Sequence, residues 1–246
     1  MGRESPEAER VKAWRRRVRA RWLSVTGRQQ EASYWLVRSL PGFLPKDQVR
    51  LLYRTVGAEP GPGDIAEVGS FMGKSTITIA RSLLDHGVGD CRVYAIDPHR
   101  GTPEDHHDLG PRGSTYPVFE SNVRAAKVDR LIEPLVMTDG DGAVELARRG
   151  VRLRLAFIDG PHDEDSVRRQ IRDYRPRVKR RGLMAFHDCD PEGGAYPGVW
   201  TAVEGELLHG AADVVDHAGV LWVLRLRDER LSRRRRRAAA RGTRAA

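Results

Sequence analysis

Cysteine is nearly absent: the chain has two in 246 residues, Cys91 and Cys189. Two thiols in separate apolar stretches make no disulfide framework, so the sequence reads as that of a cytoplasmic protein folding under reducing conditions. Long apolar runs are missing too. No stretch reaches 18 residues, so no membrane partner is expected. The N-terminus is polar and has no apolar core of the kind a secretory leader needs. Lysine is scarce: only five of the 43 basic residues are lysine.

What is abundant is arginine, and the net charge is +9. Much of that charge sits at the two ends, in "RVKAWRRRVRARW" and "RLSRRRRRAAARGTRAA". Charge concentrated in such tails reads as solvated ends rather than as a groove for nucleic acid, which is not an expected partner. Val11, Trp14, Val18 and Trp22 recur at near-helical spacing. They predict a helix over 10–25 that packs on the body or on a second copy, and a homodimer is expected. The chain divides into an N-terminal helical segment (1–40), a main domain (41–227) and an Arg-rich tail (228–246).

Within the main domain, apolar strand-like runs alternate with helical patterns. Strands are predicted at 64–70, 92–97, 132–137, 153–159 and 182–188. Helices are predicted at 44–56, 74–86, 117–126, 141–149 and 163–178. Such alternation implies a parallel sheet covered on both faces. Two further β-rich runs, 212–217 and 220–226, flank a short turn and must pair antiparallel. The expected fold is α/β: a Rossmann-like, doubly wound sheet of seven strands, five parallel plus a C-terminal hairpin, preceded by helices.

The stretch "EVGSFMGKST" (67–76) ends as a phosphate-binding P-loop ends. That loop needs a glycine five positions before Gly73, with four residues between, which is position 68. Position 68 is Val, and the glycine is Gly69, so the loop is one residue short. An acid at Glu67 also repels a phosphate. In open α/β sheets ligands gather at the carboxyl ends of the strands. Here those ends carry Glu67 to Ser70, Asp97, Asp159 and His187-Asp188. Gly69 and Gly73 let backbone approach a ligand. Asp97 can accept hydrogen bonds from both hydroxyls of a ribose, or it can cap the turn before Pro98. A cationic sulfonium bearing an ammonium group suits an acid at this turn better than a pyrophosphate does. That chemistry is S-adenosylmethionine.

The series "AEVGSFMGKSTITIARSLL … VYAIDP … AFIDGPHDEDSVRRQI … RGLMAFHD … PGVWTAV" resembles the class I S-adenosylmethionine-dependent methyltransferases. It is similar to bacterial macrolide-sugar and other antibiotic-sugar O-methyltransferases, and its Glu-x-Gly-x-x-x-Gly-x-Ser turn resembles that of catechol O-methyltransferase. The resemblance covers roughly residues 40–226. It implies that Glu67, Gly69, Ser70, Gly73 and Ser75 hold the methionine part and Asp97 the ribose. Asp139 and Gly140, in "TDGD", would lie by the adenine.

Methyl transfer to a hydroxyl is limited by the proton the hydroxyl holds. A divalent cation can lower its pKa and a base can remove the proton. Asp159 and Asp188 end neighbouring strands, close enough to share Mg²⁺. His162, in "DGPH", matches the position of the base in the similar enzymes. The alternative for His162 is an ordinary loop residue, for Asp159 a helix cap, and for Asp188 a residue that only orders its loop. The acid that many relatives carry two residues after the first metal Asp is Pro161 here. A carboxamide that follows the second metal Asp in catechol-type enzymes is Cys189. His187, Cys189 and Asp190 are therefore all open as third ligands. Glu104, Asp105, His106, His107 and Asp108 match no zinc spacing and read as part of a lid over the acceptor site. Tyr116, Tyr196 and Trp200 are candidates to stack on a sugar ring. The acceptor is read as a small molecule or saccharide; the alternatives are an aromatic diol, or a nucleic-acid-binding methyltransferase relative that uses the basic termini.

Overall fold

The computed structural model describes residues 28–59, 61–101 and 113–228, with Arg15, Val18 and Arg19. Seven strands form one sheet: β1 Asp64–Val68, β2 Val93–Ile96, β3 Ile132–Leu135, β4 Leu153–Ile158, β5 Val178–Phe186, β6 Ala212–Ala218 and β7 Leu221–Leu226. Among the described residues, seven α-helices surround it: α1 Gln29–Val37, α2 Lys46–Ala58, α3 Lys74–Asp85, α4 Tyr116–Ala125, α5 Asp139–Arg148, α6 Glu164–Tyr174 and α7 Pro197–Val203. A wider helical turn, Glu204–Leu208, extends α7.

The strand order is β3-β2-β1-β4-β5-β7-β6. Strands β1 to β5 run parallel, and β7 pairs antiparallel with both β5 and β6. This is the seven-stranded sheet the sequence predicts. The central strands are buried along their length because helices cover both faces. On β4, Leu155 and Phe157 enter one core layer with residues of α2, α3 and α4. Ala156 and Ile158 enter the other, with residues of α5, α6 and α7. The strand order reverses between β1 and β4, where consecutive connections leave to opposite sides. The crevice this opens lies at the carboxyl ends of those two strands.

Four elements differ from the sequence expectation. Strand β5 begins at Val178, not 182. Opposite β4 its register jumps from Val178 against Leu153 to Leu183 against Leu155, and Arg181 takes φ 59° in the intervening bulge. The polar run Lys179-Arg180-Arg181 hides this start from a hydrophobicity reading. Helix α6 ends at Tyr174 rather than 178, because Pro176 cannot supply the next backbone N–H. Helices α1 and α7 were not read as elements at all.

Helix α1 is pinned to α3 by polar contacts. The Ser33 hydroxyl donates to Asp85 Oδ2 at 2.5 Å, and Arg81 Nε donates to Ser33 Oγ at 2.9 Å. Of the predicted stripe before it, only Val18 is among the described residues, and it is 49 % exposed. Val11, Trp14 and Trp22 lie outside them, as do Glu104 to Asp108 and the Arg-rich tail beyond Asp228. No helix among the described residues is long and apolar enough to cross a membrane.

Candidate active site

The turn from β1 to α3 forms the first wall of the crevice. Gly69 adopts φ 87°, and a Cβ there would lie 1.9 Å from the Asp159 carbonyl oxygen. Only glycine allows the ends of β1 and β4 to come this close. Gly73 adopts φ 90° and caps α3, with Phe119 of α4 where a Cβ would point. Asn122 Nδ2 donates to the Met72 carbonyl at 2.9 Å, which fixes the turn from outside. Lys74 Nζ donates instead to the Gly42 carbonyl at 3.1 Å, directed into the chain's own N-terminal loop and away from any phosphate site.

Glu67 is fully buried at the end of β1. The Thr76 hydroxyl donates to its Oε2, while its Oε1 has no partner. Burial drives the Glu67 carboxyl up to about 8; the Ser75 and Thr76 hydroxyls offset part of that, and the charges of Asp159 and Asp97 add to it. Ser70 Oγ, also buried, has no partner either. Two unsatisfied buried oxygens beside a glycine-lined turn are costly unless a ligand supplies their partners. An ammonium-bearing donor fits that cradle.

Asp97 accepts from the backbone N–H of Phe71 at 2.7 Å and of His99 at 2.6 Å. It therefore stitches the β1 turn to the β2 turn, and Phe71 holds φ 44° in consequence of that tight loop. Each carboxylate oxygen keeps a second lone pair for another donor. Asp139 opens α5; its Oδ2 accepts from Gln170 Nε2 at 2.8 Å, and its carbonyl accepts from the Tyr174 hydroxyl at 2.7 Å. Gly140 follows on the exposed first turn of the helix.

Across the crevice, Asp159, His162 and Asp188 come together. One ligand atom from each lies within 4.8 Å of the others, all at half-buried positions. The His162 Nε2 approaches Asp188 Oδ2 to 3.1 Å, but the direction of its N–H misses hydrogen-bond geometry. Asp188 adopts φ 54°, an unfavourable conformation for a residue with a Cβ, and this swings its carboxylate toward Asp159. Two carboxylates and an imidazole at this separation are a donor set that suits a divalent cation. Cys189 and Asp190 stay out of it. Burial pushes the Cys189 thiol up to about 12, and Asp190 Oδ1 caps the next turn by accepting from Glu192 N–H at 3.0 Å.

The residue that sequence reasoning left undecided is His187. Its Nδ1 lies 2.9 Å from Asp188 Oδ2 and 3.2 Å from Asp159 Oδ1, and its Nε2 lies 2.8 Å from Gln48 Oε1 on α2. Burial opposes its charge, but the two carboxylates outweigh burial and carry it up to about 10. Burial raises Asp159, against the pull of His187. Burial also acts to raise Asp188, but the adjoining imidazoles of His162 and His187 hold it well below the usual carboxylate range. Gln48 and Gln170 had no sequence signal, because each meets its partner only through the tertiary packing of a helix on the sheet.

Residues 66–189 match the family model described as a methyltransferase domain. Among solved structures, an O-methyltransferase from Bacillus cereus with S-adenosylhomocysteine bound is 16% identical, with a TM-score of 0.58 over 78% of this chain and 86% of that one. The O-methyltransferase TomG from Streptomyces achromogenes, of tomaymycin synthesis and solved with S-adenosylmethionine, is 19% identical, with a TM-score of 0.55 over 75% and 81%. CalS11, a TDP-rhamnose 3′-O-methyltransferase of calicheamicin biosynthesis, is 19% identical, with a TM-score of 0.54 over 93% and 98%. The crevice between β1 and β4, with its buried acid and glycine turn, is thus built on a sheet these enzymes share. The chain belongs to the methyltransferase domain family, and its fold is that of class I S-adenosylmethionine-dependent O-methyltransferases.

Proposed function

We propose that the chain is an S-adenosylmethionine-dependent O-methyltransferase that methylates a hydroxyl of a sugar, an oligosaccharide or a glycosylated metabolite. The observation that carries this reading is the convergence of Asp159, His162 and Asp188 across the crevice from the unsatisfied Glu67. The saccharide acceptor draws support from the sequence resemblance and from the sugar substrate in the name of CalS11.

In this reading the donor's ammonium group meets Glu67 Oε1, its carboxylate lies by Ser70, Ser75 and the N-terminus of α3, and the Gly69 and Gly73 turn admits its backbone. Asp97 takes the ribose, and Asp139 with Gly140 borders the adenine. The donor supplies a methyl group on a sulfonium, whose leaving group is a neutral thioether. Asp159 and Asp188 would hold Mg²⁺, which lowers the pKa of a hydroxyl bound to it. His162 accepts the hydroxyl proton at Nε2. Asp188, 3.1 Å from that nitrogen, stabilises the imidazolium charge that results, and His187 with Gln48 orients the two carboxylates. A second reading comes from the same three-way proximity: His162 acts as a ligand rather than as the base, and a transition ion replaces Mg²⁺, since Mg²⁺ prefers oxygen ligands. The N-terminal stripe supports a homodimer formed through residues 1–40, working in the cytoplasm.

The test is donor consumption against a panel of methyl glycosides, oligosaccharides and phenols, with and without chelator. Turnover on glycosides that stops with chelator and returns with Mg²⁺ is expected. His162→Ala should lower kcat by about 10²–10⁴ with donor binding intact. Full activity in excess chelator would remove the cation from the mechanism, and turnover of phenols alone would remove the saccharide.

A further inference from the structure

Three exposed or rim aromatics were candidates to meet an acceptor ring, and the structure separates them. Tyr116 is engaged with the rings of His99 and Phe119, at centroid distances of 5.1 and 6.2 Å. Trp200 packs edge-on against Trp222 at 5.2 Å, within the core layer under α7. Tyr196 is different. Its ring stacks on the imidazole of His162, with centroids 4.1 Å apart and planes inclined by 28°, yet it stays 41 % exposed.

The backbone holds that stack in place. Two residues on, Gly198 presses against the start of α6: a Cβ there would lie 2.6 Å from Glu164 N and 3.0 Å from the His162 carbonyl. On the other side, Asp190 closes a turn, its carbonyl accepting from Gly193 N–H at 3.1 Å. Tyr196 is therefore mounted on His162 from both directions and does not hang from a free loop. The edge of the same imidazole faces Asp188 at 3.1 Å. Tyr196 lies on His162 and His162 faces Asp188, so a hydroxyl held at the carboxylates places the ring that bears it on the side of the site the tyrosine lines.

We propose that Tyr196 is the platform for the acceptor ring, and that the acceptor ring is a saccharide. This rests on the reading of the site given above. A pyranose presents C–H groups on a face and hydroxyls around its rim. The tyrosine offers a flat apolar face for the first and a phenol at its edge for the second. One side chain thereby meets both the face and the rim of the acceptor ring.

The experiment uses the full chain saturated with S-adenosylhomocysteine and Mg²⁺. Calorimetry first measures S-adenosylhomocysteine binding to wild type, Tyr196→Phe and Tyr196→Ala, which should be the same in all three. Saturation-transfer NMR then titrates methyl glucoside, with catechol as the comparison. Transfer to the sugar ring C–H groups is expected in wild type and Tyr196→Phe. In Tyr196→Ala the dissociation constant should rise by about tenfold, the size of one aromatic contact. Unchanged sugar binding in Tyr196→Ala overturns the proposal, as does transfer to catechol alone or to neither probe. Failure of wild type to bind S-adenosylhomocysteine would instead overturn the donor reading beneath it. Loss of structure in the alanine variant would show as lost S-adenosylhomocysteine binding; the Tyr196→Leu variant then takes its place, with the same two outcomes.

Discussion

Replacing Glu67 by Gln should change the pH dependence of stability in a way that few other substitutions in this chain can. Glu67 is fully buried, and its carboxyl is raised to about 8, chiefly by burial. In the unfolded chain it ionises near 4.5. Between those values the folded protein keeps a proton that the unfolded chain has lost. Stability therefore falls as pH rises through this window, by about 1.4 kcal/mol per unit. The full span is worth on the order of 5 kcal/mol, and the loss stops once the folded group ionises near 8. Glu67→Gln keeps an oxygen for the Thr76 hydroxyl but cannot ionise. Its stability relative to wild type should be close to level at pH 4.5 and rise steadily toward pH 8. Urea denaturation of both proteins at half-unit intervals measures the difference, in which the other titrating groups largely cancel. The same chemistry predicts that donor binding at pH 7 releases close to one proton, because the ammonium group stabilises the charged carboxylate. Calorimetry in two buffers of different ionisation enthalpy reads that release. A wild-type minus Gln difference that does not vary from pH 5 to 8 would refute the reasoning, since it would mean that Glu67 is ionised in the fold throughout.

Gly69 and Gly140 differ in kind, and so should their alanine variants. Gly69→Ala places a Cβ 1.9 Å from a backbone oxygen at φ 87°, and should lose about 3 kcal/mol or more in urea denaturation. Gly140→Ala meets nothing within 4 Å, on a helix, and should be neutral or stabilise by up to about 1 kcal/mol. Asp97→Ala removes an acceptor from two backbone N–H groups as well as from a ribose, so it should weaken S-adenosylhomocysteine binding by about 1.5–3 kcal/mol and lower the melting temperature too; weaker binding with unchanged melting would show that the two turns do not depend on it. Millimolar Mg²⁺ should raise the melting temperature of wild type and leave Asp159→Asn unaffected, as expected for a ligand that binds only the folded state.

The fold was legible in the sequence because a covered parallel sheet demands it. Strands buried on both faces must be apolar runs, and parallel neighbours must be separated by helices, so β1 to β4 and the terminal hairpin stand out from residue type alone. Elements that depend on partners did not. The start of β5 is basic because a bulge turns Lys179 to Arg181 outward, and α1 holds its place through Ser33 and Arg81 on α3 rather than through a strong apolar stripe. At the site, the chain itself specifies where acids and glycines fall, namely at the carboxyl ends of strands, because local turn chemistry is written in neighbouring residues. The sequence determined that Glu67, Asp97, Asp159 and Asp188 share one edge of the sheet. Only the tertiary structure decided what each one meets there. It set Gly69 against the Asp159 carbonyl, brought Gln48 to His187 across 139 positions and laid Tyr196 on His162. Those contacts arise from how α2 and α7 pack on the sheet, and packing couples residues that no spacing along the chain connects.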